Sequence, residues 1–148
     1  MKVYLAGRYD RRLELCGYAD ELRREGHTVD CRWLLGTHQL HPSPEIVDIP
    51  NDSIPMEAAP FAQDDVEDIF KADTFIVFSE RPDSHSKRGG RHVEFGIALS
   101  LRRFTSRQPP MRLVVIGPRE NVFHCLPEIE VYGDWASFMS STVLQGAR

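Results

Sequence analysis

Apolar positions along this chain come in two kinds of block. One is a short unbroken run. Residues 2–7 (KVYLAG), 27–34 (HTVDCRWL), 74–79 (TFIVFS) and 112–117 (RLVVIG) are of this kind, and 128–132 (EIEVY) is a shorter version. Runs of this length, bounded by glycine, proline or polar clusters, predict buried strands. The other kind recurs at helical spacing. In residues 10–25, Leu13, Leu15, Cys16, Ala19 and Leu22 are separated by charges, which predicts an amphipathic helix stopped by Gly26. Residues 62–73 place Val66, Ile69 and Phe70 on one face, and the stretch after Gly90 spaces Val93, Ile97 and Leu101 by four. Asp134 is a candidate N-cap for a terminal helix over 134–145.

Strands alternating with helices predict an α/β fold, a flavodoxin-like or Rossmann-like three-layer sandwich with about five parallel strands. The 148 residues fit one domain over 1–148, with no internal repeat, low-complexity tract or linker. In such sheets ligands bind beyond the carboxyl ends of the strands. Those ends read LAGRYD, RWLLG, FSERPDSHSKRGG and IGPRENVFH, and polar and charged residues collect there. The segment between Gly36 and Phe61, rich in proline and polar residues, is too long for an ordinary connection.

Composition narrows the function more than the fold. A net charge of −4 argues against a binder of nucleic acid polymers, whose footprint is basic. The three cysteines, Cys16, Cys31 and Cys125, are scattered and form neither a disulfide framework nor a zinc motif. No apolar run approaches the roughly 20 residues of a membrane span, and Met1 leads almost directly into the first strand, without a secretory leader. The expectation is a reduced, cytoplasmic protein with no membrane partner.

Three places carry candidate chemistry. In GRYDRR, after the first strand, Gly7 admits a ligand close to the backbone, and Arg8, Arg11 and Arg12 suit a phosphate. The same residues also read as a solvated first turn, although arginines do not favour a helix N-terminus. In SKRGGRH, glycines open a helix and Lys87, Arg88 and Arg91 flank it, which suits an anion as well as an ordinary surface loop. Glu94 follows in the same helix, between apolar Val93 and Phe95, with Gly96 clearing space. It is either a carboxylate matched to the helix dipole or an ionised group able to attack carbon. Asp64, Asp65, Glu67 and Asp68 cluster in a second helix start, where the dipole alone accounts for most of them. Trp33 and Phe61 either stack on a ring or pack in the core. His38 and His41 lack further metal ligands, and neither they nor His92 with Glu94 make a zinc motif, so no metal is expected.

Together, a strand ending VYLAG, an aspartate seven residues before an AD that leads into a strand, and a glycine-rich loop running into EFGIAL resemble the nucleoside 2-deoxyribosyltransferase superfamily, which includes 5′-monophosphate N-glycosidases. The resemblance covers most of the chain. It implies that Glu94 is the nucleophile, that Asp65 contacts the sugar and assists departure of the base, and that the Tyr4 hydroxyl orients Glu94. It places substrate against Gly7, Arg8, Tyr9, Arg88, Gly89 and Gly90, and Asn121 in a segment that reaches a neighbouring subunit's site. It further implies a small nucleoside or nucleotide substrate, no cofactor, and a homodimer or higher homo-oligomer. Bases in both loops favour a 5′-monophosphate. Cleavage of the base–sugar bond passes through an oxocarbenium-like state, so a carboxylate can trap C1′ while a second acid protonates the base. Strict base exchange between unphosphorylated nucleosides, a nucleotide sensor without turnover, and a flavodoxin-like electron carrier are the alternatives.

Overall fold

The computed structural model describes residues 1–38, 58–81 and 89–141. It contains a parallel sheet of five strands in the order β2-β1-β3-β4-β5, with β1 at Lys2–Ala6, β2 at Thr28–Val29, β3 at Thr74–Phe78, β4 at Arg112–Ile116 and β5 at Ile129–Tyr132. The helices are α1 (Arg12–Arg24), α2 (Ala59–Lys71), α3 (Gly90–Phe104) and α4 (Trp135–Met139). This is the expected three-layer α/β architecture. β1, β3 and β4 are buried on both faces, which is why they read as continuous apolar runs. On one face Tyr18 of α1 and Trp135 of α4 pack on Phe78. On the other, Tyr4 stacks on its register partner Phe75, which meets Phe95 of α3 edge-on. Strand order reverses between β1 and β3, so their carboxyl ends open a crevice.

Two expectations need correction. The second strand is two residues long rather than spanning 27–34. Beyond Val29 the chain leaves the sheet and turns through a 3₁₀ segment, Arg32–Leu35. Side-chain bonds draw it off. The Arg32 backbone N–H and Nε donate to Asp68 of α2 at 2.9 and 3.0 Å, and the Trp33 indole donates to the Leu5 carbonyl at 2.8 Å. Gly36 then takes a left-handed φ of 85°.

The second correction concerns which helix faces turn inward. On α2, Ile69 is buried, but Val66 and Phe70 are exposed. The inward stripe is Asp65, Asp68, Ile69 and Ala72, at helical spacing. On α3 the inward stripe is Arg91, Glu94, Phe95 and Ala98, while Val93 is exposed and Ile97 only partly covered. Both helices therefore turn charged groups toward the sheet beside apolar ones, and leave Val66, Phe70 and Val93 exposed.

Candidate active site

Burial of these charged stripes creates the site. Tyr4 lies in the middle of β1 and is fully buried, and its hydroxyl donates to Glu94 Oε1 of α3 at 3.0 Å. Asp65 of α2 stands near enough to act on both: its charge raises the Tyr4 hydroxyl and the Glu94 carboxyl alike. Three residues separated by 61 and 29 positions thus meet beneath the crevice, each carried by a different element.

The electrostatics differ from the sequence reading in one respect. Glu94 was expected to stay ionised. Burial, then the neighbouring Asp65, push its carboxyl up to about 8, against the opposing hydrogen bond from Tyr4 and the charge of Arg91. Burial also pushes Asp65 up to about 6, while His38 and Tyr4 hold it down. Near neutral pH the pair therefore holds one proton, mainly on Glu94. Such a pair can release an acidic proton and expose a carboxylate within one reaction step.

His38 is the member that sequence reasoning missed as part of this constellation. Its side chain is 6% exposed, with Nδ1 at 3.5 Å from Asp65 Oδ1 and Nε2 at 3.6 Å from Asp64 Oδ2. The imidazole stacks on Phe61 with centroids 4.7 Å apart. A clamp built on Arg32 fixes this arrangement: Nη1 holds Asp64 at 2.6 Å and Nη2 holds Glu67 at 2.9 Å, besides the bonds to Asp68.

The arginines are largely spoken for. Arg11 is held by Glu14 and by Glu80 at 3.1 Å, and Arg12 donates to the Leu34 carbonyl at 2.8 Å. Arg91, expected to flank an anion, is 3% exposed and paired with Glu120. Arg8 remains at the mouth, paired with Asp10 at 2.7 Å and 32% exposed. Lys87 and Arg88 lie outside the described residues. Gly89 and Gly90 are exposed at the start of α3. At Gly7 a Cβ would stand 2.9 Å from Leu15. Tyr9 is partly exposed, tilted against Trp33 at 6.3 Å, and its hydroxyl donates to the Gly36 carbonyl at 3.1 Å. Trp33 itself packs in the core. Asn121 caps a 3₁₀ turn through Phe123 N–H at 3.0 Å and faces His124 and His92. Among the described residues no hydrogen bond joins it to Tyr4, Asp65 or Glu94. Among them, too, no group of three His, Cys, Asp or Glu side chains could hold a metal ion, and no helix is long and apolar enough to cross a membrane.

No protein-family profile matches the chain, and no curated protein matches it. Among solved structures, a CMP N-glycosidase from Clostridium botulinum, BcmB, shares its fold at a TM-score of 0.51 and 18% identity, covering 98% of this chain and 99% of that one. At that identity the likeness speaks to the fold, over nearly its whole length.

Proposed function

We propose that this protein cleaves the N-glycosidic bond of a nucleoside 5′-monophosphate, with Glu94 as nucleophile. The observation that carries the reading is the bond from the Tyr4 hydroxyl to Glu94 beside Asp65, at the crevice where strand order reverses. A likeness in fold to a protein described as a CMP N-glycosidase supports the same reaction class.

In this reading the substrate's C1′ sits against the free oxygen of Glu94. As the bond to the base lengthens, positive charge grows on the sugar and favours the ionised form of Glu94. Its proton passes through Asp65 to the departing base, whose nitrogen keeps the electron pair of the broken bond. A Glu94 oxygen bonds C1′, and Tyr4 holds the other oxygen in line. Water then adds to C1′, returns a proton to the acid pair and frees Glu94. The phosphate is held by Arg8, the backbone N–H groups at the start of α3, and Arg88. Apolar residues exposed on α2 (Val66, Phe70) and on α3 (Val93, Phe104) support assembly with a second copy.

Incubation with nucleosides and their 5′-monophosphates, scored by chromatography for free base, tests this. Base release from monophosphates, lost in Glu94→Gln, is expected. Undiminished release in that variant rules out the nucleophile. Formation of a new nucleoside on addition of a second free base assigns base exchange instead, and tight nucleotide binding with no base released over hours assigns a sensor.

A further inference from the structure

His38 has a placement that a surface histidine would not need. It follows the turn that leaves β2, yet its imidazole is sealed between the Phe61 ring and the carboxylates of Asp64 and Asp65. His38 Nδ1 and Asp65 Oδ1 are both buried, and among the described residues neither has a hydrogen-bond partner other than what their 3.5 Å approach offers. Burying two polar atoms without partners is costly, so a site that keeps them adjacent is built for an exchange between them. The ring is fixed from both ends. Asp64 faces Nε2, and Asp64 is itself locked to Arg32. The charged and titratable groups around Asp65 are His38 and Arg32 from the segment after β2, Asp64 and Asp68 on α2, Tyr4 on β1 and Glu94 on α3. Of these, His38 brings to within 3.5 Å of Asp65 Oδ1 a ring nitrogen that donates or accepts a hydrogen bond according to its tautomer.

We propose that His38 is a positioning residue that forms a proton-holding dyad with Asp65, turning Asp65 into the acid that protonates the leaving base. The idea rests on the N-glycosidase reading. Nδ1–H donates to Asp65 Oδ1, which points Oδ2 at the base. In the first half-reaction the C1′–N bond breaks, its electron pair stays on the base nitrogen, and Asp65 passes to that nitrogen the proton it takes from Glu94, while the Glu94 carboxylate so formed bonds C1′. The Asp65 carboxylate formed is held by His38. In the second half-reaction water bonds C1′, the Glu94–C1′ bond breaks with its electrons returning to Glu94, and the proton from water returns through Asp65 to the pair. One proton is lent and one regained, with no other reactant.

The test compares two leaving groups. CMP must have its base protonated, whereas 4-nitrophenyl riboside 5-phosphate releases a nitrophenolate that needs no proton. His38→Gln and His38→Ala are expected to slow turnover of CMP about 100-fold and of the nitrophenyl substrate less than about 5-fold. Imidazole in solution is expected to restore part of the loss in His38→Ala. Equal losses on both substrates would mark His38 as merely structural and overturn the proposal, as would no loss on either. Glu94→Gln separates this from the parent reading: it loses both substrates if the reading holds, and unchanged turnover there refutes the reading whatever His38 does. A measurement independent of activity is the ¹³C carboxyl titration of Asp65. It moves upward in His38→Gln if the imidazole holds the charged form, and an unmoved titration overturns the dyad.

Discussion

Replacing Glu94 by glutamine should make this protein more stable while abolishing its activity, and the gain should grow with pH. In the unfolded chain the carboxyl titrates at its ordinary value of 4.5, whereas burial and Asp65 carry it to about 8 in the fold. Below pH 4.5 both states hold the proton and Glu94 costs nothing. As pH rises, the unfolded state releases it first, so the fold loses stability until the pH passes about 8, where the loss levels off. The gap between the two states is small at pH 5, under about 1 kcal/mol, and reaches about 3 kcal/mol at pH 7. Because Glu94 is only partly enclosed as a residue, water reduces these figures, and a gain of about 2 kcal/mol at pH 7 to 8 is the working expectation. Glutamine keeps an oxygen for the Tyr4 hydroxyl and carries no charge to desolvate. Urea unfolding of both proteins at pH 5 and pH 8 reads the difference directly, since at unchanged slope the midpoint shift is the stability change. A variant equal to or weaker than the parent at pH 8, or a gain that does not grow from pH 5 to pH 8, would refute the account of a carboxylate held against its solvation preference.

Other consequences are open to simple measurements. Tyr4→Phe removes a donor that favours the charged form of Glu94, so base release should fall roughly 10- to 100-fold, and the acid limb of the pH–rate profile should move to higher pH. Gly117 adopts φ +110°, and a Cβ there would stand 2.7 Å from the Ser79 hydroxyl, so Gly117→Ala should cost roughly 1 to 3 kcal/mol in a thermal melt. Asp68 is 4% exposed and accepts from the Arg32 backbone and side chain, so Asp68→Ala should cost roughly 2 kcal/mol and loosen the segment that carries His38. If the outer face of α2 and α3 meets a second copy, Phe70→Glu should halve the mass seen by light scattering; an unchanged mass would place any interface elsewhere.

How much of this was legible in the sequence depended on where each signal is stored. β1, β3 and β4 are covered on both faces, so their burial is written into consecutive residues and any window of five finds them. The second strand deceived for the same reason in reverse. HTVDCRWL is apolar enough to be a strand, but the chain is taken off the sheet by Arg32 meeting Asp68, a contact 36 residues long that no local window contains. The helices were found, and the apolar residues picked out at helical spacing divide between two faces: Ile69 is buried and Ile97 and Leu101 pack partly against the core, while Val66, Phe70 and Val93 are exposed. Val66 with Phe70, and Val93 with Ile97, look like core stripes. The stripes that meet the sheet are those carrying Asp65 and Asp68, and Arg91 and Glu94. A helix pair that buries Asp68 and Arg91 beside Ile69 and Phe95, and exposes Val66, Phe70 and Val93, departs from the ordinary amphipathic pattern on both faces. The proposed reaction accounts for the inner side, and the proposed assembly with a second copy for the outer.

The same reasoning explains why Tyr4 was within reach of the sequence and His38 was not. A tyrosine in the middle of a buried strand needs a partner for its hydroxyl, and Tyr4 finds it in Glu94 on the inward stripe of α3. Tyr4, Asp65 and Glu94 were named through the resemblance carried by VYLAG, the aspartate before AD and EFGIAL, and the fold brings the three together. His38 belongs to no periodic element. Its chemistry exists only because the turn after β2 folds over α2, and that fold is enforced by one arginine gripping Asp64, Glu67 and Asp68 at once. α2 begins at Ala59 and has no acidic residue in its first turn, so the helix dipole does not explain this cluster as the sequence suggested; three of its four acidic residues act as the grip that carries a histidine to the fourth.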